Sequence, residues 1–253
     1  MAELGEKAGM AEMRQLNVYD CALTKVVPMR LILATMLVAG ALAVALVVVV
    51  PAYAEPQTCP PLCDQIPDTA WIQQRAVPLN AVYNWPALAG LAVQVTGTGA
   101  GPRFRFEDVC ATPAVPQDAR DSAVTARATV VHPDGQWQLQ AQILHWRGDT
   151  ARGGAIAASV FSNAVAALRG CQRGAPLQSP SITSDESNRV AAVISGPVIM
   201  HTYLVAHVAS STISELTLWS SGPPQVPWPA MADDLVLNSM TAPLCDAYIA
   251  SCP

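Results

Sequence analysis

The residues best suited to chemistry lie in two neighbouring segments, VIMHTYLVAHVAS and TISELTLWS. His201, Tyr203 and His207 have the same parity, so in a regular strand they face the same side, and Glu215 and Trp219 do so in the next strand. Depending on the hairpin loop, strand pairing places His207 near Glu215 and Tyr203 near Trp219. Such a face would line a groove for a polar or aromatic ligand. The alternative is that these side chains are solvated, or buried and satisfied by backbone groups.

No motif in the sequence identifies an enzyme. The chain has four histidines but neither a G-x-S-x-G elbow nor an H-E-x-x-H metalloprotease motif. Two adjacent acidic pairs, Glu107-Asp108 and Asp233-Asp234, would diverge on a strand or helix, so we interpret them as surface or helix-start charges. We therefore predict no catalytic residues, no cofactor and no metal site.

The cysteines indicate disulfide bonds in an oxidising compartment. Six of the seven follow residue 50, which leaves Cys21 alone before it. The six are Cys59, Cys63, Cys110, Cys171, Cys245 and Cys252. An even number favours up to three disulfides, for which six cysteines allow about 15 connectivities. The pair in CPPLC lacks a second Cys or His pair nearby, which argues against a zinc site.

An apolar run of uncharged residues, LILATMLVAGALAVALVVVV at 31–50, predicts a single membrane span. Lys25 and Arg30 precede it, so the positive-inside rule places residues 1–30 in the cytoplasm as a short tail and the rest of the chain outside. The alternative is a signal sequence cleaved after Ala54, which fits a start at Met29 and yields a secreted protein.

The composition of the exported part excludes some partners. It contains ten arginines, no lysine and fifteen acidic residues, and the whole chain has a net charge of −5. That balance argues against binding to nucleic acid or anionic lipid. The abundance of Ala, Val, Pro and Arg, with so little Lys, suggests a GC-rich actinobacterial genome.

The order of the predicted elements indicates an α+β fold. A proline-rich linker at 51–90 leads into one domain at 91–253. Alternating residues on both sides of Pro133-Asp134-Gly135 predict a hairpin at 124–146, with its glutamines on a solvated face.

The remaining segments complete the prediction of a mainly antiparallel sheet with two packed helices. Helical spacing over 149–171 ends at a Gly before Cys171, whose disulfide would join the C-terminal segment through Cys245 or Cys252. The polar stretch QSPSITSDESN predicts a loop, and three strands follow it. A last helix over 228–245 would bury Met231, Leu235, Val236 and Met240 and end at Pro243.

The placement of two cysteines carries a family resemblance. One directly follows the first helix, in VFSNAVAALRGC, and another ends the second, in LVLNSMTAPLC. With the element order from about 124 to 245 and a single span before it, the chain resembles the extracellular sensor domain of mycobacterial PknH-type kinases and related lipoproteins. The resemblance covers about half the chain and implies a helix-and-sheet domain with a ligand groove. The chain departs from that family by having no kinase domain and no lipobox.

These observations favour a non-enzymatic, sensor-like module of the cell envelope that binds a small ligand or a membrane or envelope protein. An exported hydrolase or transferase without a recognisable motif is an alternative, for which a nucleophile and base would meet in a cleft. An accessory subunit of an envelope complex is another, for which a large exposed apolar patch would be the sign.

Overall fold

The computed structural model describes residues 63–95, 102–249 and 251–252. The predicted cytoplasmic tail, the span at 31–50, the cleavage site after Ala54 and Cys59 lie outside these residues. Among the described residues, one helix, at Thr150–Arg169, is long and apolar enough to cross a membrane by length and composition. Eight of its residues are buried, among them Phe161 and Leu168.

A seven-stranded antiparallel sheet organises the domain. The strands follow the spatial order β1-β2-β3-β7-β6-β5-β4, so two meanders meet where β3 pairs with β7. The strands are β1 (Val93–Val95), β2 (Val124–Val130), β3 (Gln138–His145), β4 (Ser179–Asp185), β5 (Arg189–Ser195), β6 (Ile199–His207) and β7 (Thr212–Ser220). The helices are α1 (Asn80–Tyr83), α2 (Leu88–Leu91), α3 (Arg105–Val109), α4 (Thr150–Arg169), α5 (Cys171–Gly174) and α6 (Asp233–Ala247). The prediction of an α+β fold with a mainly antiparallel sheet is confirmed.

The hairpin around Asp134-Gly135 is present, but its predicted solvated face is wrong. Gly135 has a φ of 75°, as a tight turn between β2 and β3 requires. Trp137, Leu139 and Ile143 are buried on one face, and Gln140 and Gln142 are buried on the other. The segment that contains α3 covers this face: Gln142 donates to the backbone oxygen of Arg103 at 3.4 Å, and Gln140 donates to Glu215, which accepts from the backbone N–H of Arg105. Alternation placed the side chains on the correct faces, but a distant segment covers the second face.

The predicted loop QSPSITSDESN is also wrong, because most of it forms the edge strand β4. Its residues alternate between exposed and half-buried, and it pairs with β5 alone. Pro180 is tolerated there, because an edge strand does not need every backbone N–H for pairing. The three strands predicted after it are confirmed as β5, β6 and β7.

The helix α4 covers one face of the sheet. The carboxylate of Asp149 caps its first turn by accepting a hydrogen bond from the backbone N–H of Arg152 at 2.7 Å. Val160 and Leu168 are buried against the sheet, as the helical spacing predicts. At Gly154 an added Cβ would lie 2.5 Å from the backbone oxygen of Val208, so glycine allows the helix to approach the loop between β6 and β7.

The helix α6 covers the opposite face of the sheet, and its prediction is wrong in part. It begins at Asp233 rather than at 228, so Met231 lies before it and is half-buried. Pro243 lies inside the helix rather than at its end. The buried side chains of Met240 and Leu244 hold both halves of the helix against the core, and this packing outweighs the hydrogen bond that proline cannot donate. Leu235 is 60% exposed, whereas Leu237 is fully buried.

The predicted linker is part of the domain from Cys63 onward. Trp71, Val77, Trp85 and Leu88 are buried in the same hydrophobic cluster as the α6 face of the sheet. The indole N–H of Trp85 donates to the backbone oxygen of Pro78 at 2.7 Å, which satisfies its one polar group. From Cys63 onward this segment is therefore packed in the domain and does not act as a spacer.

Two disulfides join described cysteines. Cys110 pairs with Cys171, which ties the end of α3 to the start of α5. Cys245 pairs with Cys252 across the end of α6, so the prediction that Cys171 pairs with one of these two is wrong. Cys63 is also disulfide-bonded. The general prediction of a disulfide-stabilised domain is confirmed.

Replacing Leu237 with alanine is expected to lower the free energy of unfolding by about 2 to 5 kcal/mol, because it leaves a cavity between α6 and the sheet. Leu235→Ala in the same helix is the matched control and should change it by less than about 0.5 kcal/mol. Denaturant unfolding of both variants with disulfides intact measures the difference. Equal losses would contradict the placement of this helix.

Candidate ligand-binding cleft

The five residues predicted to form one ligand face lie on opposite faces of the sheet. In the observed register Tyr203 pairs with Leu216, and Leu204 pairs with Glu215. His201, Tyr203 and His207 therefore face the α6 side, as their parity predicts, while Glu215 and Trp219 face the α4 side. The predicted contacts of His207 with Glu215 and of Tyr203 with Trp219 are wrong.

His201 and Tyr203, two residues of the predicted set, contact the C-terminal part of the chain. The ring of His201 stacks on that of Trp228, with centroids 3.5 Å apart and planes 5° from parallel. Burial lowers the pKa of His201 to about 4, although the carboxylate of Asp233 opposes the shift. The hydroxyl of Tyr203 donates to Asp233 at 2.9 Å. Burial, with the charge of Asp233, raises the pKa of Tyr203.

His207 stands at the end of β6 beside the C-terminal disulfide. Its Nδ1 atom lies 2.7 Å from the hydroxyl oxygen of Ser210. Its Nε2 atom lies 3.5 Å from the sulfur of Cys252 and 3.9 Å from that of Cys245. Burial lowers the pKa of His207. The Ser210 side chain is buried in the loop after β6.

Glu215 is a fully buried carboxylate that anchors α3 to the sheet. It accepts a hydrogen bond from the backbone N–H of Arg105 at 2.6 Å and another from the side-chain amide of Gln140 at 3.3 Å. Burial raises the pKa of Glu215 to about 7, although these donors and the charge of Arg127 oppose the shift. The guanidinium of Arg105 also lies over the ring of Trp219, 4.6 Å from its centroid. Both predicted residues thus bind the chain itself.

A buried ionic cluster, formed by Arg120, Glu107 and Asp118, lies next to α3. Arg120 is 5% exposed and forms ion pairs with Glu107 at 2.6 Å and with Asp118 at 2.5 Å. Glu107 also accepts a hydrogen bond from the backbone N–H of Phe104 at 2.8 Å, which caps the start of α3. Arg120 lowers the pKa of Asp118 against the opposing effect of burial. Since each charge has a partner, the cluster fixes the position of α3.

A cleft of about 770 Å³ opens between residues 68–76, here called the N-terminal segment, and the outer side of α6. Trp71, 6% exposed, is the aromatic residue of its lining, and Pro243 contributes from α6. The N-terminal segment contributes Asp68, Thr69, Trp71, Gln73, Arg75 and Ala76, and α6 contributes Ser239, Ala242, Pro243 and Asp246. Two carboxylates, one guanidinium and an aromatic ring therefore line one opening.

Few features of the amino-acid sequence indicate this cleft. Asp68 and Arg75 lie in the segment interpreted as a linker, and Asp246 follows the predicted end of the last helix. Trp71 was the informative residue, because an indole in a proline-rich segment indicates packing. Its two walls are about 170 residues apart in the chain, and no local pattern links them.

Comparison of the chain with protein-family models, with curated proteins and with solved structures gives no match. The resemblance to PknH-type sensor domains therefore stays a prediction.

Glu215→Gln is expected to change how stability depends on pH. Because the folded-state pKa of Glu215 is raised from 4.5 to about 7, the folded state holds a proton that the unfolded state releases in this range. Wild-type stability should therefore fall as pH rises from 4.5 to 7, by up to about 3 kcal/mol relative to the variant.

Denaturant unfolding at several pH values measures this difference, with Glu186→Gln in the β4–β5 turn as the control. The control should follow the wild-type profile, because its carboxylate is solvated at the surface. A Glu215→Gln profile that is parallel to the wild type would show that Glu215 is ionised throughout the range.

Proposed function

We propose that this protein is a non-enzymatic binding module that holds a small ligand outside the membrane in the cleft between its N-terminal segment and α6. The observation that carries the proposal is the cleft itself. Its volume of about 770 Å³ lies within the range of about 300 to 1,000 Å³ typical of small-molecule sites. Trp71, at its wall, offers an apolar surface with polar and charged groups around it.

The charges of the cleft favour a ligand with a positive group. Asp68 and Asp246 contribute two carboxylates and Arg75 one guanidinium, so the net charge of the lining is negative. An ammonium group would interact with the carboxylates, and an apolar or aromatic part would lie against Trp71 and Pro243. A carboxylate on the same ligand would find a partner in Arg75, so a zwitterion also fits.

The disulfides support a location outside the cytoplasm. Disulfides persist in oxidising compartments and are rare in the cytosol. The described domain contains Cys110–Cys171 and Cys245–Cys252, and Cys63 is disulfide-bonded as well. A sensor-like role at the envelope, with the N-terminal apolar run as a membrane anchor, is consistent with these bonds and is part of the proposal.

The positions of the histidines favour binding over catalysis. Among the described residues His132 lies against Tyr83 and Trp85, and His145 stacks on Tyr248. His201 is stacked on Trp228, and His207 faces the C-terminal disulfide. The lining of the cleft contains none of them, so the cleft lacks the most common general base.

Benzylamine, benzyl alcohol and benzoate provide a direct test, since they have similar size and differ in charge. Ligand-observed NMR titration of the full-length protein in detergent should detect benzylamine at about millimolar affinity, with weaker binding of the alcohol and the weakest of benzoate. Asp246→Asn and Asp68→Asn should each weaken benzylamine binding by about fivefold, the loss of an ion pair worth about 1 kcal/mol.

The matched control is Asp134→Asn, which removes one exposed carboxylate in the β2–β3 turn, outside the cleft lining. It should leave benzylamine binding unchanged. Equal binding of benzoate and benzylamine, or an equal effect of all three variants, would refute the proposed site.

A further inference from the structure

The C-terminal disulfide and His207 form a cluster that the cleft does not use. The imidazole Nε2 and the two sulfurs of Cys245 and Cys252 lie within 4.8 Å of one another. All three residues are half-buried, so the cluster is accessible from solvent. Cys110 and Cys171, in contrast, are each 1% exposed. A reductant in solution therefore reaches the C-terminal disulfide more easily than the one at α3.

The hydrogen bonds around His207 orient its ring toward the sulfurs. The hydroxyl of Ser210 donates to the backbone oxygen of His207 at 3.2 Å. A hydroxyl has one hydrogen, so when Ser210 gives it to this carbonyl, Nδ1 is the donor in the 2.7 Å contact with the Ser210 oxygen. This assignment leaves the lone pair of Nε2 facing Cys245 and Cys252. A histidine that ligates a metal through one nitrogen and donates from the other has the same arrangement.

The distances match a tetrahedral metal site. With zinc–sulfur bonds of about 2.3 Å and zinc–nitrogen bonds of about 2.0 to 2.1 Å, the nitrogen–sulfur edge of a tetrahedron is about 3.6 Å. The two separations between Nε2 and the sulfurs are 3.5 and 3.9 Å. The Cα atoms of the two cysteines are 5.2 Å apart, so side-chain rotation can open the sulfurs to the required edge of about 3.8 Å.

We propose that reduction of the Cys245–Cys252 disulfide creates a site for a thiophilic divalent cation such as Zn²⁺, ligated by Cys245, Cys252 and Nε2 of His207. A dithiol reductant supplies two electrons and two protons and becomes a disulfide, which leaves two thiols on the protein. The cation then displaces both thiol protons and takes the sulfurs as thiolates. The fourth tetrahedral position is left for water or another ligand.

The bond between the cysteines thus controls the site. In the oxidised protein neither sulfur is a thiolate, so the cluster binds no cation tightly. In the reduced protein the cation replaces the covalent bond as the link between α6 and the C-terminal residues. The site is separate from the proposed ligand cleft, and its test does not depend on ligand binding there.

Cobalt is a suitable probe, because Co²⁺ bound to thiolates in a tetrahedral site has a characteristic visible spectrum. Full-length protein in detergent is reduced with a water-soluble phosphine, freed of reductant without air and titrated with Co²⁺. We expect one equivalent beyond that bound by the double variant Cys245→Ser/Cys252→Ser, displacement by Zn²⁺, and no such signal before reduction. The double variant corrects for cobalt bound by other cysteines.

Single variants test the ligand set. Cys252→Ser and His207→Gln should each weaken cobalt binding by more than about tenfold, since tenfold is the cost of removing even a hydrogen bond behind a ligand. His201→Gln is the matched control, because it changes a histidine on the same strand and face that contacts Trp228 instead. It should bind cobalt as the wild type does.

Two results would overturn the proposal. One is cobalt binding by the reduced wild type that is no greater than that of the double variant. The other is unchanged binding in a folded His207→Gln. If that variant does not fold, X-ray absorption of the reduced, zinc-loaded wild type decides. Two sulfur ligands with at least one nitrogen support the site, and any other set contradicts it.

Discussion

The pairing of β3 with β7 is the constraint on which the rest of the structure depends. It joins the meander β1-β2-β3 to the meander that ends at β7, and every residue of β7 is buried. Without it each meander would expose an additional unpaired edge and part of its apolar faces to water. The central strands bring together residues far apart in the chain, such as Gln142 and Glu215, which pair directly. This pairing therefore brings together the core residues of the two meanders as well as the buried polar groups.

The α4 face of the sheet has buried polar side chains at its centre, and these explain the role of α3. On this face, Gln140, Gln142 and Glu215 lie in adjacent positions of β3 and β7. These groups would be costly to bury without partners. The backbone of the α3 segment supplies them, since Arg105 donates to Glu215 and the carbonyl of Arg103 accepts from Gln142 at 3.4 Å. This short helix is thus held in one position by hydrogen bonds together with the buried side chains of Phe104 and Phe106, and the disulfide from Cys110 secures its end.

Much of the fold follows from the sequence because the strands and the long helices have clear periodicity. The alternation on both sides of Asp134-Gly135 defined a hairpin, and the spacing of Val160 and Leu168 defined α4. Periodicity shows which side chains share a face, but not what covers that face. The glutamines of β3 therefore gave the wrong expectation of a solvated surface. The short alternation of Ser and Thr in β4 was too polar to separate from a loop.

The prediction of one shared ligand face was wrong because it depended on the register between β6 and β7. The length and conformation of the loop between these strands set that register. His207 and Thr212 form the first pair of the hairpin, and four residues lie between them. Odd-numbered residues of β6 therefore pair with even-numbered residues of β7. One residue more or fewer would have placed Tyr203 and Glu215 on the same face. Ser211 has a φ of 55°, a left-handed conformation that this turn requires and that serine seldom adopts. No local sequence pattern predicts that conformation, so the sequence does not determine the register between β6 and β7.

The helix α6 connects the two sites proposed for this protein. Its inner side, with Leu237 and Leu244, belongs to the core, and its outer side supplies Ser239, Pro243 and Asp246 to the cleft. Cys245 directly precedes Asp246, so the C-terminal disulfide and one acidic group of the cleft occupy the same helical turn. Packing of the inner side fixes the outer side as a wall, because a core at close-packed density does not let the helix slide. Packing of the hydrophobic core therefore determines the shape of the cleft, while Asp68, Arg75 and Asp246 in its lining are exposed to solvent.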